Sequence, residues 1–181
     1  AFGLGLSVSC GVVSALHRSN AGFNRIEDFV QTDAAINPGA SGGALVDAEG
    51  RLVGLLSAIF AKDSGTNIGV NFAVSWPLLD RVADDLIAHG RVVRPAFGFR
   101  AGASDDPGRL GLPVVEVAPD GAAARAGLQV GDRLLAVGVR RPADLDELTA
   151  ALALLRPGEV TTLLVERDAA RQHLRLLVPQ R

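Results

Sequence analysis

The sequence has one cysteine, Cys10, and no methionine among its 181 residues. A lone cysteine excludes an intrachain disulfide and any metal centre built on several thiolates. No histidine or carboxylate spacing typical of a metal motif occurs either, so neither a metal nor another cofactor is expected. Long apolar runs are missing as well. "LVGLLSAIFA" (Leu52–Ala61) is far shorter than the roughly 20 residues a membrane-spanning helix requires. An excess of one charge is also lacking: the net charge is −2. Through Val92 there are 6 Lys and Arg against 9 Asp and Glu, and beyond it 12 against 11. Neither part is basic, so nucleic acid is not an expected partner. The chain opens on Ala1 with no signal-peptide pattern and no methionine, which leads us to expect a fragment or processed form.

What is present is a folded-protein composition, 48% hydrophobic and 21% charged. From Ser7 to Val74 short β-like runs alternate with turns, without the helices a parallel sheet needs. "DAEG" (Asp47–Gly50) and "AKDSGTN" (Ala61–Asn67) read as hairpin loops. "SWPLLDRVADDLIAHG" reads as a helix capped by Ser75, with Leu79, Val82 and Leu86 on its apolar face and Gly90 closing it. Asp84 and Asp85 are expected on its solvated face. "RVVRP" is a linker. After it come five short strands and two helices, Asp144 and Glu147 forming a capping box on the second. These patterns predict a mainly β protein with two domains, residues 1–92 and 93–181.

One loop carries chemistry. In "INPGASGGALV" (Ile36–Val46) a single serine, Ser41, sits among glycines. Gly39–Gly43 satisfies G-x-S-x-G, but a hydrolase nucleophile elbow needs a buried strand before it and a helix after it. Here "GGALVD" runs into a β-hairpin. A loop between antiparallel strands suits a chymotrypsin-like nucleophile, in which the N–H groups of Gly39 and Ser41 converge on a developing oxyanion. Gly39 can turn its amide inward because it has no Cβ.

The run "FVQTDAAINPGASGGALVDAEGRLVGLLSAIF", continued by "NIGVNFAVSWPLLDRV", closely resembles the HtrA/Deg family of trypsin-like serine proteases. The resemblance implies that residues 1–92 form the second β-barrel of a chymotrypsin-like double barrel, with Ser41 as acyl nucleophile and Gly39 and Ser41 supplying the oxyanion hole. It implies that the strand carrying Ile68, Gly69, Val70, Asn71, Phe72 and Ala73 walls the specificity pocket and pairs with the substrate backbone. Ala40 departs from the family, which usually carries Asn there; with no side-chain donor or acceptor, nothing at this position is expected to tether the loop. A serine nucleophile also needs a base. The family's histidine and aspartate lie in the first barrel, and His17, His89 and His173 do not match that position. His17 and His173 are expected at ordinary surface positions, His89 at a helix C-terminus. The isolated chain is therefore expected to be inactive, with an apolar face open toward a missing N-terminal barrel, inviting self-association or a homo-oligomer.

"RPAFGFRA" and "DGAAARAGLQVGDRLLAVG" resemble the circularly permuted PDZ domain that follows HtrA protease domains. The resemblance implies C-terminal peptide binding by Arg94, Phe97, Gly98 and Phe99, with backbone N–H groups receiving the terminal carboxylate. Because side chains alternate across a strand, one of the two phenylalanines belongs to the core. The reading is thus a portion of an HtrA-like endopeptidase acting on unfolded or exposed polypeptides. By resemblance it is exported to a bacterial envelope or periplasm. The alternative is a non-catalytic peptide-binding or scaffold protein that keeps the protease-like fold, with Ala40 as its mark.

Overall fold

The computed structural model describes residues 7–180 apart from 38, 63–65, 105 and 107, and no side chain from 58 to 68. The chain divides into two compact units, Ala1–Asp84 and Asp85–Arg181. Each carries one five-stranded antiparallel sheet.

In the first unit the strands are β1 (Val13–Arg18), β2 (Phe29–Thr32), β3 (Ala44–Val46), β4 (Leu52–Lys62) and β5 (Thr66–Ser75). Their spatial order is β1-β2-β5-β4-β3. β4 and β5 run closer together than the sequence pattern suggested, reaching Lys62 and starting again at Thr66. Among the described residues β1 and β3 are the sheet's two edges, yet residues of both line one groove of about 720 Å³. The sheet is therefore curled but open. Val12, Val13, Leu16, Val46 and Trp76 line that groove and are exposed, so the expected apolar face is present.

The core of this unit lies between β2 and β5. Phe29 and Phe72 are buried with ring centroids 5.5 Å apart, and Phe23 packs on both at 6.1 and 5.9 Å. Glu27 fixes the loop that delivers Phe23. Its buried carboxylate accepts the N–H groups of Ala21 (2.6 Å), Phe23 (2.7 Å) and Asn24 (2.8 Å). Charge-assisted bonds of this kind are about twice as strong as neutral ones.

Helix α1 (Trp76–His89) begins at Ser75, whose Oγ accepts the Leu78 N–H at 3.4 Å. Its inner face differs from the expected one. Leu78, Arg81 and Asp85 are buried, whereas Leu86 is 49% exposed. Asp85 leaves solvent because its carboxylate accepts the Val93 N–H at 2.7 Å, tying the segment after the helix to its last turns.

The second unit comprises β6 (Phe99–Ala101), β7 (Leu112–Val117), α2 (Ala122–Arg125), β8 (Arg133–Val137), α3 (Leu145–Ala153), β9 (Val160–Arg167) and β10 (Ala170–Leu177), with strand order β10-β9-β8-β7-β6. Leu112, Leu134, Leu163, Val165 and Leu176 are fully buried in one core, joined by Leu148 and Ala151 of α3. The cap forms with one difference from a capping box: Asp144 Oδ1 accepts the Glu147 N–H, but Glu147 reaches past the cap to the Ala143 N–H, both at 2.8 Å. Asp168 and Ala169 both take positive φ, 50° and 62°, the two-residue geometry that matches the twist of a β-hairpin. Asp132, buried beneath the sheet end, holds Arg167 through two 2.6 Å bonds.

Candidate active site and peptide groove

Ser41 stands exposed between β2 and β3, in the strand-loop-strand setting expected from the sequence. The loop is tied by three of its amides. Ala40 N–H donates to Asn37 O (3.0 Å), Gly42 N–H to Leu56 O (2.8 Å) and Gly43 N–H to Ala40 O (2.9 Å). Among the described residues the Gly39 and Ser41 amides donate to no carbonyl. These are the two N–H groups that an oxyanion hole would require. Gly39 has φ +94°, a conformation that glycine adopts without a steric penalty. A Cβ on Gly43 would lie 2.9 Å from Ala40 O and 3.4 Å from a Leu56 methyl, so the chain behind the serine can approach this closely only with glycine. Ala40 itself does tether the loop, contrary to the expectation from its side chain. Both its N–H and its carbonyl are hydrogen-bonded, so the anchor is backbone.

The β5 stretch divides at Asn71. From Asn71 to Val74 it pairs with β2 on one side and β4 on the other. Asn71, Phe72 and Ala73 are also buried, at 0%, 6% and 0% exposure. Expected to wall the specificity pocket and pair with substrate, these three have both backbone edges taken by neighbouring strands. Gly69 and Val70 precede the β2 pairing and remain half-buried; the side chain of Ile68 lies outside the described residues.

No hydrogen bond joins Ser41 to a histidine among the described residues. His17 is not an ordinary surface residue: its Nδ1 lies 3.2 Å from Oδ1 of the buried Asp28, whose other oxygen accepts the Ser75 hydroxyl. This places serine, carboxylate and imidazole together in the wrong order for catalysis, since the carboxylate and not the imidazole contacts the serine. Its effect is structural, fixing the start of α1 to β2. His89 ends α1 as expected, and His173 lies exposed on β10.

In the second unit Phe97 is buried in the core at 8% exposure, and Phe99 packs partly against it. Phe97 can therefore serve a ligand only through its backbone. Its carbonyl is occupied by the Ala123 N–H, and that of Gly98 by the Ala118 N–H. The N–H groups of Phe97 and Gly98 donate to no carbonyl among the described residues. Gly98 has φ +76°, and a Cβ there would sit 2.7 Å from the Cα of Gly121. Arg94 is exposed a few residues ahead. β6 is an edge strand, paired with β7 alone, and so presents an open row of backbone groups.

A trypsin-like peptidase domain matches residues 2–55, and a PDZ domain matches residues 114–167. The periplasmic serine endoprotease DegP of Escherichia coli K12 is 35% identical over 187 residues, 99% of this chain and 39% of DegP. Serine endoprotease DegS of the same strain is 35% identical over 191 residues, 99% of this chain and 53% of DegS. The solved HtrA-type protease AlgW with a tripeptide is 39% identical and superposes with a TM-score of 0.63, covering 98% of this chain and 62% of that one. This chain belongs to the HtrA family. It comprises a trypsin-like serine protease region followed by a PDZ domain, and it spans about half or less of the curated relatives it matches.

Within this HtrA-family region, the trypsin-like match includes Ser41 and its glycines, whereas the PDZ match begins after Phe99 and leaves the Phe97–Phe99 loop outside it. Sequence reading also missed Glu27 and the His17–Asp28–Ser75 chain. Their signal was weak, because single polar residues in short strands and loops carry no periodicity. Among the described residues no helix is long and apolar enough to cross a membrane.

Proposed function

We propose that residues 1–92 are the nucleophile-bearing half of an HtrA-like serine endopeptidase, and that residues 93–181 are its peptide-binding PDZ domain. Ser41 is the acyl nucleophile, and the Gly39 and Ser41 amides receive the oxyanion of the tetrahedral intermediate. The observation that carries this reading is the selective tethering of the loop. Ala40, Gly42 and Gly43 spend their amides internally, and the two amides a hole requires are left over. Substrate is an unfolded or exposed polypeptide, paired along Ile68–Val70 before β2 closes the strand edge. The base and its orienting acid come from an N-terminal barrel packed on the open apolar groove beside β1 and β3.

Alone, the 181-residue chain lacks the imidazole that would take the proton from Ser41. Oxyanion stabilisation without the triad leaves roughly 10³–10⁴-fold over water, too little to register as peptidase activity. The PDZ unit captures a free C-terminus on the amides of Phe97 and Gly98, with Arg94 adding positive charge and the β6 edge pairing with the peptide. The protein acts outside the cytoplasm, in the compartment of DegP. The test is casein cleavage by the chain fused behind the N-terminal barrel of DegP. Activity that Ser41→Ala abolishes supports the assignment. A fusion that folds and is inert, or activity surviving Ser41→Ala, refutes it.

A further inference from the structure

Asn71 is fully buried, where a carboxamide is destabilising unless it is hydrogen-bonded. Its backbone belongs to the sheet, and Thr32–Asn71 is the pair at which β2 ends against β5. Beyond Thr32 the chain leaves the sheet and heads for the serine loop. There the Asn71 side chain takes over from the strand. Its Nδ2–H donates to Ala34 O at 2.9 Å, across 37 residues of sequence. A side chain thus extends the grip of β5 two residues past the end of β2.

Ala34 is held by other groups as well. It is buried, and its N–H donates to Thr32 Oγ1 at 3.1 Å. A Cβ on Gly11 would stand 2.4 Å from Ala34 N, so the segment entering β1 lies directly against it. That segment is tied down on both sides of Gly11. Ser9 Oγ donates to Ala35 O at 2.8 Å, and the Asp33 carboxylate accepts the Val12 N–H at 2.7 Å. Ile36 is buried next. Asn37 O then receives the Ala40 N–H, the first of the bonds that leave the Gly39 and Ser41 amides over. The approach to the hole is therefore fixed by side chains at Ala34 and Ala35. Asn71 reaches it from β5, directly after Ile68–Val70, the stretch assigned to substrate.

We propose that Asn71 is a positioning residue for the oxyanion hole, its carboxamide anchoring Ala34 so that the Gly39 and Ser41 amides converge on one oxygen. This rests on the reading of Ser41 as the acyl nucleophile. Asn71 touches no reacting atom and acts through the loop. Removing a hole donor outright costs roughly 10²–10³ in kcat, and a misplacement of about 1 Å can cost about 10². Loosening the loop while keeping both donors is expected to cost about 10–100-fold.

The test compares native protein with Asn71→Ala. In the full 181-residue chain, amide exchange across residues 36–43 rises about tenfold or more, while Phe29 and Phe72 stay protected. In the fusion behind the N-terminal barrel of DegP, one peptide sequence is used as a p-nitroanilide substrate, an aldehyde and an alcohol. Ser41 adds to the aldehyde and puts an oxyanion in the hole, whereas the alcohol binds without one. Asn71→Ala lowers kcat about 10–100-fold and weakens the aldehyde by a similar factor, with KM and alcohol affinity held within about twofold. Thr32→Val removes the hydroxyl that accepts the Ala34 N–H and moves kcat and aldehyde affinity in the same direction. Unchanged exchange, or unchanged kcat and aldehyde affinity in folded Asn71→Ala, overturns the inference. Should that variant fail to fold, unchanged kcat in Thr32→Val overturns it. Equal weakening of aldehyde and alcohol also overturns it, placing Asn71 with the substrate strand instead. The nucleophile reading fails separately, by an inert native fusion or by activity that survives Ser41→Ala.

Discussion

Asp132→Asn tests the energetics of the second unit at its most concentrated point. The carboxylate is 1% exposed and accepts three bonds: two from Arg167 at 2.6 Å and the Gln129 N–H at 2.9 Å. An asparagine keeps one oxygen but turns an NH₂ toward a guanidinium, donor against donor. Breaking a buried ion pair typically costs about 3–5 kcal/mol. Arg167 is 22% exposed and still bonded to Gly127 O, so the low end applies, about 3 kcal/mol. For a unit of this size each kcal/mol moves Tm by roughly 4–8 °C, which gives a fall of about 12–24 °C.

The pH dependence has a definite sign. Burial raises the Asp132 carboxyl, but the bonds from Arg167 and Gln129 outweigh it and leave the folded value below the ordinary one. The contribution is then complete above the unfolded carboxylate range and lost as pH falls through the folded value. The gap between native protein and variant is full at pH 7 and closes below about pH 4. Circular dichroism melts combined with amide exchange read this out, because the sole tryptophan, Trp76, lies in the other unit and its fluorescence reports that unit instead. A fall in Tm under about 4 °C, or a gap unchanged in acid, refutes the reasoning.

Gly98→Ala forces a Cβ to 2.7 Å from Gly121 at a positive φ; expect a loss of about 2 kcal/mol or more in chemical denaturation, with weaker binding of free C-terminal peptides. Unchanged affinity in a folded variant would remove that loop from the groove. Glu27→Gln weakens the three bonds that hold the Ala21–Asn24 loop and should cost about 1–3 kcal/mol, read as an earlier transition of Trp76 fluorescence in urea. Gly43→Ala pushes against Ala40 O, and in the barrel fusion it lowers kcat more than KM, since it shifts the amides and not the substrate strand; an unaltered kcat contradicts the placement of the hole.

How much of this was legible in the sequence depends on what held each residue in place. The Ser41 loop, the Asp144 cap and the core position of one of the Phe97–Phe99 pair follow from local rules of backbone freedom, capping and alternation. Asp85 was expected in solvent because it lies on a helix among charged neighbours; it is buried, and its carboxylate accepts the arriving Val93 N–H. The inner face of α1 was misread because the apolar pattern picks out Leu79, Val82 and Leu86, whereas the buried positions are Leu78, Arg81 and Asp85. Asn71–Ala73 could not be separated from Ile68–Val70 by pattern, because which strand edge is covered is a matter of tertiary pairing. His17 needed Asp28 and Ser75, 11 and 58 residues away along the chain, to acquire its place.

The central claim is that Ser41 is an acyl nucleophile whose base lies outside these 181 residues. A fluorophosphonate probe, with the label mapped by mass spectrometry, tests it most directly. The account predicts rapid labelling of Ser41 in the fusion behind the N-terminal barrel of DegP, and labelling slower by orders of magnitude in the isolated chain. Rapid labelling of the isolated chain, or none in a folded fusion, would contradict it.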